Sequence, residues 1–162
     1  MKAAAKHSGP VYLRFTRDAV PVIYNEDDCF EIGKARLIMD GSDIAIIANG
    51  DTVCLALEAA KTLKDKGISV KLFDMHTIKP LDLAAVKDCI ELGKLITVED
   101  HNILNGLGSA VADIVAESGK AVMRRIGIQD QFGQSAPYSR LLEINGITVE
   151  NIVNTAEQLL GI

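Results

Sequence analysis

From residue 43 onward, short apolar runs alternate with longer runs whose apolar positions recur every three or four residues. That alternation is the mark of βαβ units on a parallel sheet. IAIIA at 44–48 reads as a strand, and VCLALEAAKTLKDKG after it sets Val53, Ala56, Leu57, Ala60 and Leu63 on one helical stripe closed by Gly67. SVKLFDM at 69–75 is the next strand, and Asp82 stands at the N-cap of a helix whose Leu83, Val86, Cys89 and Ile90 face inward before Gly93 ends it. KLITVED at 94–100 is the third strand, followed by a helix from about Leu107 to Ser118. AVMRRIGIQD supplies a fourth strand, and a last helix is capped by Thr148 and closed near Gly161. Ahead of these, KARLIMDGSD at 34–43 reads as a short antiparallel edge strand near Arg36 and a turn. The expectation is an α/β fold of three layers, α/β/α, on a mostly parallel five-stranded sheet. Its four parallel strands begin near Ile44, Val70, Leu95 and Val122.

The first 25 residues behave differently. VYLRFTR at 11–17 reads as one more strand, and DAVPVIYNEDDCFEIG after it carries a proline and an acidic run typical of a linker. An isolated strand cannot satisfy its own backbone polar groups. Residues 1–20 therefore read as the end of a preceding domain, 21–33 as a linker and 34–162 as the α/β domain, in a truncated or split protein.

Composition narrows the class. Of 162 residues, 48% are apolar and 4% aromatic, spread along the chain, which suits a packed α/β domain and excludes a disordered one. The net charge is −5 with Lys and Arg scattered, so the basic stripe needed for nucleic acid is missing. No apolar run reaches membrane-spanning length, and MKAAAKHSGP lacks a hydrophobic signal core. Cys29, Cys54 and Cys89 are odd in number and widely spaced, which fits buried free thiols in a reducing compartment, and the close Cys or His pairs of a zinc site are absent. These features point to a cytoplasmic protein with no nucleic-acid and no membrane partner.

Candidate chemistry concentrates in VEDHNILNGLGSAVADIVAESG at 98–119. Glu99, Asp100 and His101 end a strand, and the carboxyl ends of parallel strands are where open α/β sheets hold ligands. Neighbouring strand residues face opposite sides, so Glu99 and Asp100 cannot serve one atom as an acid/base pair without a bend. Gly106 and Gly108 before Ser109 offer two readings: bare N–H groups at a helix start that hold an anion, or close helix-to-sheet packing. His76 has no nucleophile in a matching motif. Arg14 and Arg17 suit either a phosphate or carboxylate contact, through the two-pronged guanidinium, or an ordinary surface position.

Taken in order, GPVYLRFTR, DMHTIKPLD, VEDHNILNGLGSAVADIVAE, IGIQDQFGQSA and NGITVENIV resemble the carboxyl-terminal part of transketolase-type thiamine diphosphate enzymes over nearly the whole chain. The runs EDH before GLGSAV and FGQSA are more similar to a transketolase, especially a split two-subunit one, than to 1-deoxyxylulose-5-phosphate synthase or a 2-oxo-acid dehydrogenase β chain. Asn105 stands where the family commonly has glycine, and Ala136-Pro137 departs from its commoner pattern. The resemblance implies a dimeric enzyme of the pentose phosphate pathway that moves a two-carbon ketol unit between sugar phosphates, using thiamine diphosphate and Mg2+ or Ca2+. It assigns residues 1–20 to the end of the pyrimidine-binding domain. It implies that this chain binds no cofactor or metal, is inactive alone, and needs the N-terminal cofactor-binding domains or subunit. Arg17 carries over as a contact to substrate phosphate. The domain itself would hold no catalytic residue and serve dimerisation and regulation, with His101, Gly106, Gly108 and Ser109 at an inter-domain or subunit contact. The open alternative is a free-standing flavodoxin-like module with an anion at that turn.

Overall fold

A computed structural model describes residues 1–16 and 19–162. After a short helix α1 (Lys2–Lys6), the elements run β1 (Arg36–Met39), β2 (Ile44–Ala48), α2 (Thr52–Asp65), β3 (Val70–Asp74) and α3 (Leu83–Ile90). They continue as β4 (Lys94–Asn102), α4 (Leu107–Ser118), β5 (Val122–Ile128), α5 (Tyr138–Ile144) and α6 (Val149–Leu160). Among the described residues the sheet has five strands in the order β1-β3-β2-β4-β5. β1 pairs antiparallel with β3 and the other pairings are parallel, with a register irregularity in β1 between Leu37 and Met39. The expected sheet, its parallel core and its antiparallel edge are all present.

Strand alternation divides the core into two faces. Ile44, Ile46 and Ala48 of β2 point to one face, where they meet Ala56, Ala60 and Leu63 of α2 and Ile152, Val153 and Ala156 of α6. Ala45 and Ile47 point to the other, against Val86, Cys89 and Ile90 of α3 and Leu107, Val111 and Val115 of α4. Helices on both faces make the three layers. β2 is buried at every position because it lies at the centre with a helix layer on each side.

The helix ends follow the expected chemistry. Asp82 Oδ1 accepts from the N–H groups of Ala84 and Ala85, and Thr148 accepts from that of Asn151. Gly161 closes α6 in the left-handed conformation. Asp82 Oδ2 also accepts from Ala35 N–H at 3.0 Å, which ties β1's approach to the start of α3. Burial works to raise the Asp82 carboxyl, but the N–H groups of Ala35, Ala85 and Ala84, with the Lys34 charge, outweigh it and hold it below its usual range.

Two expectations need correction. Residues 11–16 of VYLRFTR form no strand; Tyr12 and Phe15 are 88% and 66% exposed, and no neighbouring strand among the described residues offers a ladder. The thiols are free but unevenly buried: Cys89 is enclosed and pushed up to about 12 by burial, Cys54 is partly exposed, and Cys29 lies exposed outside any helix. None of the described helices is long and apolar enough to cross a membrane.

Candidate functional site

The end of β4 is irregular. Its pairing with β5 shifts register between Val98 and Asn102, and Gly127 of β5 lets the strands approach there: a Cβ on it would stand 2.9 Å from the His101 carbonyl oxygen. Glu99 leaves this stretch toward α4 and is 2% exposed. Its Oε2 accepts from Leu107 N–H at 2.8 Å and its Oε1 from Gly108 N–H at 2.7 Å. One carboxylate thus satisfies two orphan donors of the helix and meets the positive end of its dipole. Burial pushes the Glu99 carboxyl up, and the N–H groups of Gly108 and Leu107, followed by the charges of His101 and Arg125, pull against it.

The glycines make room for this carboxylate. A Cβ on Gly106 would collide with Glu99 Oε2, and one on Gly108 would lie 2.9 Å from both Oε1 and Arg125 Cδ. The N–H groups that the turn was read as offering to an anion are therefore occupied by the chain's own side chain. Ser109 Oγ donates to the Ile103 carbonyl at 3.0 Å and accepts from Asn105 N–H at 2.9 Å, which tightens the loop. Asn105 has φ +62°, a left-handed conformation open to glycine and, next best, to asparagine. The His101 ring is half-exposed, with Nδ1 2.7 Å from the Asn102 carbonyl oxygen and 3.9 Å from Glu99 Oε2. His101, Gly106, Gly108 and Ser109 do come together, around Glu99.

Asp100 faces the opposite side, as strand alternation requires. Tyr138 places its hydroxyl 3.1 Å from Asp100 Oδ2 and 3.0 Å from Asp51 Oδ2, so one donor lies within hydrogen-bond distance of two carboxylates. Burial, then the two carboxylates, push this hydroxyl far up and keep it a donor. Arg14 Nη1 donates to the Asp100 carbonyl at 3.0 Å, and Nη2 lies 3.9 Å from Asp100 Oδ2. Arg14, Phe15, Thr16, Asp100, Pro137 and Tyr138 line an open cleft of about 500 Å³. An adjoining hollow of about 240 Å³ shares Asp100 and Tyr138 and reaches Phe132, Gln134 and Asn145. The cleft sits at the carboxyl end of the strands, where ligands enter open α/β sheets. Arg17 lies outside the described residues.

Sequence reasoning missed Tyr138, because α5 was not foreseen. The available signal was Pro137 ahead of a short run containing Leu141 and Leu142. The segment 21–33, expected as a linker, makes specific contacts with the domain. Tyr24 in fact donates to Asp74 Oδ2 at 2.6 Å, and the Arg36 guanidinium lies 5.4 Å and 5.6 Å from the ring centres of Tyr24 and Phe30 while pairing with Asp28. Phe30 meets His76 edge-on at 5.0 Å. Asp74 is buried, with Oδ1 unpartnered among the described residues, and burial raises its carboxyl despite the Tyr24 bond. The segment is fastened across the carboxyl end of β3.

The described residues do not fit a diphosphate and its cation. They contain no group of three or more His, Cys, Asp or Glu able to hold a metal, and the glycine-bearing helix start is filled by Glu99.

A family model described as the transketolase C-terminal domain matches residues 33–152, from just before β1 into α6. This chain belongs to the transketolase C-terminal domain family. A putative transketolase C-terminal section of Methanocaldococcus jannaschii is 43% identical over 94% of the chain, which spans 48% of that relative. A 1-deoxy-D-xylulose-5-phosphate synthase of Geobacter sulfurreducens is 36% identical over 99% of the chain and 26% of its own length. Among solved structures, a split gene transketolase described as an inactive β4 tetramer superposes with a TM-score of 0.92 at 37% identity, over 99% of this chain and 53% of that one. The chain thus spans about half the length of the first of these relatives, and the family implies thiamine diphosphate in the complete enzyme.

Proposed function

We propose that this chain is the C-terminal portion of a split or longer transketolase, and that the complete enzyme transfers a two-carbon ketol unit between sugar phosphates of the pentose phosphate pathway in the cytoplasm. The observation that carries the reading is the match to the split gene transketolase, which covers this chain almost end to end and only half of the other. In this reading residues 1–20 close the pyrimidine-binding domain, 21–33 connect it, and 34–162 form the C-terminal domain. Thiamine diphosphate and Mg2+ or Ca2+ belong to the N-terminal cofactor-binding domains or subunit. Arg17 meets substrate phosphate, and no residue of the C-terminal domain is catalytic. The higher identity, 43% against 36%, and the larger part of the relative's own length that is matched, 48% against 26%, favour this over a 1-deoxy-D-xylulose-5-phosphate synthase.

The domain's own work is assembly. Closed homo-oligomers are built most often on two-fold pairs, and the relative described as an inactive β4 tetramer supports self-association without activity. The chain alone should therefore form a dimer or a higher even assembly and catalyse no ketol transfer, and activity should return on combination with the cofactor-binding partner. In the complete enzyme, Arg17→Ala should raise KM for phosphorylated sugars by the worth of a charge-assisted contact, roughly 1.5–3 kcal/mol, and leave unphosphorylated ketol donors much less affected. His101→Ala should leave the chemistry nearly intact. Ketol transfer by the chain alone, or an unchanged KM in the Arg17 variant, would overturn the corresponding part.

A further inference from the structure

We propose that residues 21–33 form a pH-sensitive latch: the strap stays docked while Asp28 holds Arg36, and releases when Arg36 crosses to the carboxylate of Asp74. Arg36 of β1 stands directly opposite Asp74 of β3 in the antiparallel ladder. Opposed residues present their side chains to the same face, and a cation against a carboxylate is the favourable pairing there. The strap interrupts it. Asp28 takes the Arg36 guanidinium, which also lies over the rings of Tyr24 and Phe30. In exchange Asp74, 5% exposed, receives the Tyr24 hydroxyl at 2.6 Å on Oδ2, while its Oδ1 has no partner among the described residues.

One guanidinium and two carboxylates thus define two arrangements. In the docked one the pairs are Arg36 with Asp28 and Tyr24 with Asp74, Ile23 packs against the core, and the Tyr24 and Phe30 rings meet edge-on at 4.9 Å. In the released one Arg36 and Asp74 pair across the ladder, and water reaches the oxygen that docking leaves bare. The groups facing Asp74 are Tyr24 from the strap, Arg36 from β1, His76 beyond β3 and Cys54 from α2. Burial of the docked carboxyl raises it against the pull of Tyr24, His76 and Arg36. Solvent and a direct Arg36 contact bring it down on release. The docked form therefore holds the Asp74 proton more tightly. Docking is fully favoured below the released-state value and is lost as pH rises through the docked one. Because the strap joins residues 1–20 to the α/β domain, its release turns a fixed joint into a tether.

Hydrogen exchange of residues 22–32 in the 162-residue chain, corrected for the intrinsic pH dependence of exchange, tests the latch. As pH is raised from about 5 to about 8, protection of the strap should fall about tenfold while that of β2 stays level. Asp74→Asn, neutral at every pH, should keep the strap protected throughout, and Asp28→Asn should leave it unprotected throughout. His76→Gln should retain the wild-type slope. In a carboxyl NMR titration, Asp28→Asn should move the Asp74 midpoint down as Arg36 crosses over. A level wild-type profile, or an Asp74→Asn variant with the wild-type slope, would overturn the latch. A slope lost in His76→Gln and kept in Asp74→Asn would make His76 the sensor and refute the proposal. An Asp74 midpoint unmoved by Asp28→Asn would refute the exchange of partners.

Discussion

Glu99 and Asp100 are adjacent carboxylates on one strand with opposite fates. Glu99 is shut into the joint between β4 and α4, with both oxygens taken by backbone N–H groups. Asp100 opens on a cleft, where Tyr138 and Arg14 are its partners. The first is consumed by the fold; the second remains available to whatever enters the cleft. The contrast shows that a carboxylate at the end of a parallel strand is not by its position a functional group, because the face it points to decides whether the helix that follows claims it.

The largest effect should come from the closed side. Glu99→Ala strands the N–H groups of Leu107 and Gly108 in a buried joint and should cost about 3 kcal/mol in urea unfolding. A cost under about 1 kcal/mol would mean that water replaces the carboxylate and the joint is not closed. Gly106→Ala comes next, at about 2 kcal/mol, since its methyl must displace Glu99 Oε2 or the helix start.

Asp82 sharpens the contrast as a second helix-capping carboxylate on the same side of the sheet, and its replacement by Ala should cost about 1 kcal/mol at pH 7. Its carboxyl is lowered in the folded protein, so the stability it contributes is fully present above the unfolded-state carboxylate range and lost as pH falls through the folded value. The gap between wild type and Asp82→Ala should close below about pH 4 in paired unfolding curves; a gap constant with pH would refute the linkage. Tyr138→Phe, on the open side, should cost least, about 0.5 kcal/mol. A cost equal to that of Glu99→Ala would erase the distinction between the two sides.

Much of the sheet was legible because its strands and helices obey different periods. Ile44 to Ala48 is continuous and apolar, Val53 to Leu63 recurs at helical spacing, and Asp82 and Thr148 occupy cap positions with their usual residue types. The site was less legible. Capping rules look for Ser, Thr, Asp or Asn at the residue before a helix, whereas α4 has Gly106 there and takes its cap from a glutamate on the preceding strand. Two glycines that admit a carboxylate look, in one dimension, the same as two glycines that bare a helix end to a ligand. Tyr138 escaped because α5 is only seven residues long and contains no buried residue, too little for periodicity to register. The fastening of Tyr24 to Asp74 spans fifty positions, and nothing local announces it.

The two borders of the sheet bear on how copies of this chain can meet. β1 is four residues long with a break in register, so a foreign strand laid along it finds no regular run of hydrogen-bonding positions. β5 is longer, but it carries the exposed Arg124, and two such strands paired with this residue opposite its copy would set like charges against each other. Lateral growth of one sheet into the next is disfavoured at both borders. Copies of this chain that did associate would have to meet through helix and loop surfaces, which can end in a finite, countable particle instead of an open-ended fibre.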